Sequence, residues 1–285
     1  MFFKLNLQLQ YKNIREMKKT ITIYLLFLGI IFLLPQCDKT GNVNIFSLED
    51  ELELGRMMDS TVNSDYEVLP KSQYASAYAY LNSIKEDILK SDDILYPDEL
   101  VWKVTILRDD EVLNAFATPG GYFYIFTGII KYLDNAANLA GVMGHEIAHS
   151  DRRHATHRLT KVYGASLLLD IVLGKEQDRS QLANIVLDLA MGLGNLYFTR
   201  DQEYEADEYA IKYNVSTKYD PKGIAGFFNQ LETDNPNTSN PPEFLSTHPN
   251  PDNRLERIDE IWTQLNQPSG GEYVDEYNNF KALLP

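Results

Sequence analysis

The chain is poor in cysteine and in basic residues. Cys37 is the only cysteine among 285 residues, which excludes an internal disulfide framework. Lysine and arginine number 26 against 41 acidic residues, and without residues 1–36 the balance becomes 21 against 40, a net charge of −19. A surface this acidic repels nucleic acid, so no nucleic-acid partner is expected. At this length, 44% hydrophobic residues suffice for a sizeable globular core.

No long hydrophobic run is present either, but residues 1–36 predict an export signal. Two lysines follow Met17, and an apolar run extends over 21–34, which is the pattern of a secretory signal peptide. The run is short for a membrane span. Because Met17 places the lysines at the amino terminus, it is a more natural start than Met1.

Cys37 follows this run in a context that resembles a bacterial lipobox, with Leu34 three residues before it. The resemblance implies cleavage before Cys37 and a lipid attached to it, which would hold the protein at a membrane without a spanning helix. Gln36 departs from the small residue that is usual at that place. The alternative is a signal anchor with an incidental cysteine. Residues 37–46 are then a lipid-anchored polar tether.

The first part of the mature chain mixes helices and strands. Helical patterns begin at Ser47, where Asp50 completes a capping signal, and at Ser72. Alternating residues predict a strand over 101–107 and a hairpin with strands over 114–117 and 122–126. From about Asn135 onward the patterns are helical.

The second part contains two apolar stretches, 162–174 and 182–198. Both are short and each contains an aspartate, so they predict buried helices, or helices that line a substrate groove, and not membrane spans. The proline-rich segment 233–254 predicts a functional loop. A helix to Leu265 closes the domain, which we place at 47–265, and residues 266–285 are expected to be a loosely packed tail.

Three of the five histidines lie in the segment LAGVMGHEIAHSDRRH, over 139–154. His145 and His149 are one turn apart on one helix face, so both imidazoles can reach one metal ion. Zinc suits two imidazoles and a carboxylate, with a fourth position left for water. Glu146 lies a step around the helix, where it can take a proton from that water. The alternative, two incidental surface histidines, conflicts with the apolar residues around them.

A third ligand is expected from the segment TRDQEYEADEYA, over 199–210. Glu203 and Asp207 are one turn apart, whereas Glu205 faces away by roughly 200°. One of the two carboxylates can ligate the metal while the other orients a histidine ring. Taken alone, the segment also reads as a solvated acidic helix face.

Four motifs in the same order resemble the HtpX-like and CAAX-prenyl-protease-like zinc metallopeptidases. They are NAFATPGG, LAGVMGHEIAHSDRRH, TRDQEYEADEYA and STHPNPDNR. The resemblance extends from about Leu48 to Leu265 and is strongest to the soluble, periplasmic BepA-like branch of that family. It implies one Zn²⁺ per chain and a gluzincin-type site, HExxH plus ExxxD. No tetratricopeptide-like segment follows within this sequence, which puts a chaperone-docking role in doubt.

The resemblance also implies a role for each matching residue. His145, His149 and Glu203 match the metal ligands, Glu146 the catalytic glutamate and Asp207 the aspartate of ExxxD. His248 and Arg254 match a His-Pro element and an arginine on a late loop. Either could steady the oxyanion of the reaction, and His248 could instead fill the open metal position and keep the enzyme latent. Arg200 fits the arginine that begins the ExxxD element, and Thr199 stands where serine is commoner. His154 and His157 fall off the ligand face and are expected to be structural or exposed.

We therefore expect an α+β, mainly helical, zincin-like metallopeptidase domain with a small antiparallel sheet and an HExxH helix. The predicted function is a zinc metalloendopeptidase of the bacterial envelope or periplasm, acting in protein quality control on polypeptides such as misfolded envelope proteins. An extended substrate would pair with a strand edge near 114–117 or 122–126. The alternative is a zinc-stabilised envelope scaffold or chaperone-like protein that rarely cleaves.

Overall fold

A computed structural model describes residues 38–162, 198–234, 244–245, 248 and 253–285. The predicted signal peptide and Cys37 lie outside these residues, as do nearly all of the two apolar stretches and about two thirds of the proline-rich loop. No helix in the described part of the chain is long and apolar enough to cross a membrane. The predicted mainly helical α+β class is confirmed.

Between residue 38 and the sheet the chain forms two helices. Helix α1 spans Leu48–Asp65, and Ser47 caps it: the Ser47 hydroxyl accepts from the Asp50 backbone, and the Asp50 carboxylate accepts from the Ser47 backbone. Helix α2 spans Ala75–Ile88 and buries five residues at helical spacing against the core. Both predicted helices are confirmed, because capping and apolar spacing are local properties of the sequence.

In the described part of the chain the sheet has three strands, β1 (Lys103–Leu107), β2 (Ala115–Thr118) and β3 (Tyr122–Phe126), in the order β1-β3-β2. The β2–β3 hairpin is antiparallel, as predicted, and turns at Gly120 and Gly121, whose φ angles are +82° and +84°. Glycine reaches this region without a Cβ penalty.

The pairing of β1 departs from the expected antiparallel sheet. Strand β1 pairs with β3 in parallel. The connection over 108–114 leads to β2, which lies one strand position away from β1, and β3 occupies the position between them. The prediction that 122–126 offers a substrate edge is therefore wrong, since β3 has a partner on both sides. Among the described residues β2 pairs only with β3, so its outer side remains the candidate for a substrate edge.

Among the described residues, four helices follow β3 and precede the C-terminal region. They are α3 (Thr127–Tyr132), α4 (Ala136–Asp151), α5 (Arg200–Asn214) and α6 (Gly223–Asp234). Every residue of α4 is buried, and α4 packs mainly on α5 and α6. Gly141 permits this packing, since a Cβ there would overlap the backbone nitrogen of Ile224 in α6. The helix that carries His145 and His149 is thus the centre of the core.

The C-terminal region is not the loosely packed tail that the sequence predicts. Helix α7 spans Arg254–Gln264, and α8 spans Val274–Lys281. Phe280 is 2% exposed and stacks on Tyr80 at 4.4 Å between ring centroids. Tyr277 is fully buried and donates to the Ile130 carbonyl at 2.6 Å. The aromatic residues were visible in the sequence, but their eight-residue helix gives too short a pattern to show which face is buried.

Residues 38–46 also lie against the domain instead of forming a free tether. Asp38 Oδ2 lies 3.1 Å from Arg153 Nη1 and 2.7 Å from His157 Nε2. Arg153 donates to the Phe46 carbonyl at 2.7 Å, and Phe46 is 4% exposed. These contacts join segments more than 100 residues apart, which explains why a local pattern did not reveal them.

Candidate metal centre

His145 and His149 point into one buried site from successive turns of α4. Their Nε2 atoms are 3.1 Å apart, and both side chains are almost fully buried. His145 Nδ1 lies 3.0 Å from Asp207 Oδ1. A carboxylate there accepts the Nδ1 proton, so the lone pair of His145 Nε2 points to the centre of the site.

Helix α5 supplies the carboxylate. Thr199 and Gln202 form a capping box that fixes its first turn, and Glu203 follows on the inner face. Glu203 Oε2 lies 3.5 Å from His145 Nε2, and Oε1 lies 3.6 Å from His149 Nε2. Of the two carboxylates that the ExxxD spacing left open, Glu203 faces the imidazole pair and Asp207 lies behind His145.

His248 adds a fourth donor. Its Nδ1 lies 3.3 Å from His145 Nε2 and 3.2 Å from Glu203 Oε1. Donor atoms of His145, His149, Glu203 and His248 all lie within 4.8 Å of one another. A tetrahedral zinc with bonds of about 2.1 Å would separate its ligands by roughly 3.4 Å. Five of the six donor pairs lie at 3.1–3.6 Å, close to the separation that a tetrahedral ion requires.

Arg254, the first residue of α7, is buried between two carboxylates. Its Nη2 lies 2.7 Å from Asp207 Oδ1 and 3.2 Å from Glu203 Oε2, and Nε also contacts Asp207. The guanidinium lies 3.9 Å from the ring centre of Phe228. A buried charge requires partners, and here Arg254 compensates the negative charge that the ExxxD motif brings into the core.

The pKa values indicate a centre that favours positive charge. Burial lowers the pKa of His145, but the Asp207 and Glu203 carboxylates outweigh it and raise the pKa to about 9. Burial alone would raise the pKa of Glu203, yet the surrounding histidines hold it well below its usual value. Burial lowers the pKa of His149, which keeps its imidazole neutral as a metal ligand requires.

Glu146 is held beside the donors without joining them. Its Oε2 accepts from the Ala117 backbone N–H of β2 at 3.0 Å. Oε1 makes no hydrogen bond within the described part of the chain, although His248 Nε2 lies 3.3 Å away. Burial raises the pKa of Glu146, opposed by the charges of His248 and His145. The carboxylate thus has one oxygen fixed by the sheet and one directed into the site.

Two phenylalanines cover the imidazoles. Phe198 lies 4.1 Å from His149, and Phe244 stacks on His248 at 4.5 Å, between ring centroids. Both rings are buried, and they keep water from the sides of the ligand cluster. Neither ring belongs to a motif that indicated a role from the sequence.

The structure brings together most of the residues that the sequence singled out. Arg200 is exposed on the first turn of α5, and His157 contacts Asp38 instead of the site. His154 is not one of the four clustered donors, but its Nδ1 lies 3.0 Å from His149 Nδ1, a contact that the sequence analysis missed.

A buried HExxH helix that meets a glutamate from a second helix defines a zinc metallopeptidase domain. The chain belongs to peptidase family M48, which matches residues 75–262. The metallopeptidases of this family use zinc, in agreement with the four-donor site. The resemblance that the four motifs indicated is confirmed.

Individual relatives cover different shares of the chain. The beta-barrel assembly-enhancing protease of Yersinia pestis is 33% identical over 156 residues, which is 52% of this chain and 32% of the relative. The putative beta-barrel assembly-enhancing protease of Vibrio cholerae is 28% identical over 225 residues, 71% of this chain and 45% of the relative. The human mitochondrial metalloendopeptidase OMA1 is 26% identical over 275 residues, 89% of this chain and 52% of the relative. The chain thus spans about half or less of the length of these relatives.

Proposed function

We propose that this protein is a zinc-dependent endopeptidase of the bacterial cell envelope. The observation that supports it most is the convergence of His145, His149 and Glu203 at tetrahedral ligand distances, with Glu146 Oε1 directed to the same place. Zinc, when bound there, supplies a Lewis acid that lowers the pKa of water and polarises a carbonyl. Every other step falls to side chains of this chain.

Glu146 handles the proton. We assign Oε1 as the atom that takes a proton from the attacking water and returns it to the leaving amine. The hydrogen bond from the Ala117 backbone fixes Oε2, so the carboxylate cannot rotate away from the site. Burial raises its pKa toward the range in which a general base works best near neutrality.

The outer edge of β2 is the proposed place for an extended substrate. Ala117, whose N–H contacts Glu146, lies on this edge, so a peptide paired with β2 would pass beside the metal donors. Near the other end of the edge, the Leu113 carbonyl accepts from the Phe244 N–H at 3.0 Å. The segment that carries His248 therefore contacts the strand that the substrate would use.

We propose that His248 fills the fourth metal position in a latent state. Its Nδ1 lies 3.2 Å from Glu203 Oε1 and 3.3 Å from His145 Nε2, which is the separation between two ligands of one ion. This supports metal ligation by His248 over stabilisation of negative charge on the substrate. Arg254 is proposed as a positioning residue, since its Nε and Nη2 atoms are engaged with Asp207 and Glu203.

Export and lipid attachment at Cys37 are proposed from the sequence. The supporting features are the basic start at Met17, the apolar run over 21–34 and the lipobox-like context. Polypeptides of the envelope are the proposed substrates, since two of the relatives are named for β-barrel assembly.

One observation favours the second candidate, a zinc-stabilised scaffold that rarely cleaves. Four protein donors resemble a structural zinc site, which is closed, more than a catalytic site, which keeps an open position. The latent state explains the same geometry if His248 can leave. The two candidate functions differ in their need for Glu146: the peptidase requires its carboxylate as general base, and the scaffold does not.

The test is Glu146→Gln in the mature protein. We expect full zinc content and loss of cleavage of unfolded casein by at least about 100-fold, because the amide cannot take the proton. Glu208→Gln is the matched control, since Glu208 lies on α5 and pairs with Lys212 away from the site. Casein cleavage by Glu146→Gln at the wild-type rate refutes the mechanism. If that variant lacks activity but restores growth to a strain without the gene, the scaffold is the function.

A further inference from the structure

His154 lies directly behind the metal donor His149. Their Nδ1 atoms are 3.0 Å apart, and His154 is 1% exposed. On its other side, His154 Nε2 lies 3.4 Å from Glu205 Oε2, a long contact at a side chain that is 36% exposed. The three residues form a line from the buried donor to the surface.

This arrangement depends on a break after α4. Five residues along a continuous helix, His154 would point roughly 140° away from His149. Arg153 instead has a φ of +59°, and helical residues resume at 154 in a new direction. Gln202 then donates to the His154 carbonyl at 2.8 Å, which ties the new segment to the first turn of α5. Glu205, which faces away from the donors on α5, meets His154 for that reason.

The two facing Nδ1 atoms restrict the protons of both rings. Only one of them can carry the hydrogen of an N–H···N bond, and the other must offer a lone pair. His149 needs its lone pair on Nε2 to ligate a metal, so its proton is on Nδ1. His154 must then accept at Nδ1, which places its own proton on Nε2, toward the Glu205 carboxylate.

We propose that His154 and Glu205 are positioning residues that fix the tautomer and ring orientation of His149. This inference rests on the proposed zinc site. For His145 a carboxylate fixes the tautomer directly, since Asp207 lies 3.0 Å from its Nδ1. Asp207 is in turn paired with Arg254. The two histidine donors therefore have unequal support: His145 is backed by a buried ion pair, and His149 by the His154 imidazole, whose other ring nitrogen faces a partly exposed carboxylate.

The experiment measures zinc retention, independently of cleavage. Mature protein loaded with zinc is mixed with a chromogenic chelator, and the cobalt-substituted form gives a visible spectrum that reports ligand geometry. His154→Leu removes the acceptor, and we expect zinc release about 10–100-fold faster together with an altered cobalt spectrum. His154→Asn places an amide oxygen near the former Nδ1 position and should retain zinc almost as the wild type does.

Glu205→Leu tests the outer end without a buried substitution. We expect about 10-fold faster release, the lower end of the range, because water that takes the place of the partly exposed Glu205 carboxylate can accept from His154 Nε2–H. Glu208→Leu is the matched control, since Glu208 lies one turn along α5, is 35% exposed and also loses one charge. It should release zinc at the wild-type rate.

The outcomes separate this inference from the proposed function. Wild-type rates and spectra in a folded His154→Leu protein overturn the positioning role. If His154→Leu does not fold by circular dichroism, equal rates in Glu205→Leu and Glu208→Leu overturn it. Wild-type protein that holds zinc but cuts no polypeptide refutes the peptidase alone. Wild-type protein that holds no zinc overturns both.

Discussion

With its carboxylates ionised, the site carries a net negative charge that a divalent cation would balance. Glu203, Asp207 and Glu146 contribute three negative charges when ionised, against one positive charge from Arg254. Uncompensated charge in a buried site costs several kcal/mol per ion. A zinc ion would bring the sum to zero with both helix histidines neutral. The residues around the donors are therefore adjusted to the charge of the ion as well as to its geometry.

His248→Ala tests whether the fourth donor restrains the enzyme. We expect the rate of cleavage of unfolded casein to rise about 10-fold or more. This is the result if the latent state is about ten times more populated than the open state in the wild type, because the variant cannot form the latent state. Zinc content should be unchanged, since three donors remain. A fall in cleavage with zinc retained contradicts latency and supports a role for His248 in stabilising the reacting substrate.

At the level of elements, α1 is joined to the end of α4 by a buried ion pair. Glu51 is 1% exposed and accepts from Arg153 Nε at 2.9 Å and from the Thr156 hydroxyl. Its second oxygen has no hydrogen-bond partner within the described residues. Burial raises the pKa of Glu51 to about 7, against the opposing charge of Arg153.

This contact makes the stability depend on pH in a predictable direction. Between pH 4.5 and about 7 the folded protein holds a proton on Glu51 that the unfolded chain releases, so its contribution to stability falls as the pH rises. Glu51→Gln removes this contribution. The melting temperature of the variant should therefore rise relative to the wild type between pH 5 and pH 8. A difference that stays constant over this range, measured by calorimetry, contradicts the prediction.

The helices of the site could be predicted, whereas their surroundings could not. HExxH and ExxxD each lie within one helix, so their spacing alone places His145 with His149 and Glu203 with Asp207 on common faces. The parallel pairing of β1 with β3 depends on the path of the chain between the strands, which the residue pattern of neither strand contains. The contact between His154 and His149 depends on the left-handed turn at Arg153, a conformation that non-glycine residues rarely adopt.

At the level of the whole molecule, the C-terminal region completes the core around α4. The Glu272 carbonyl accepts from the Ala136 N–H at 2.9 Å and from the Ala137 N–H at 3.3 Å, which satisfies donors at the start of the zinc helix. Gly271 pairs with Tyr219 in an isolated bridge. The predicted domain over 47–265 therefore relies on contacts beyond its boundary.

Phe280→Ala measures how much this region contributes. We expect the free energy of unfolding to fall by about 3–5 kcal/mol, because a buried ring stacked on Tyr80 is replaced by a cavity. Val274→Ala is the control on the same helix, where a 43% exposed side chain should change stability by less than about 0.5 kcal/mol. Equal, small effects in urea unfolding would instead indicate a loosely packed tail.

The most direct measurement of the central claim is the zinc content of the purified mature protein, by mass spectrometry after dialysis, for the wild type, a Glu203→Ala/His248→Ala double variant and Glu208→Ala. We expect one zinc per chain in the wild type and in Glu208→Ala, and its loss from the double variant, where only the two imidazoles of α4 remain as donors. A wild-type protein without zinc, or a double variant that retains it fully, would contradict the account.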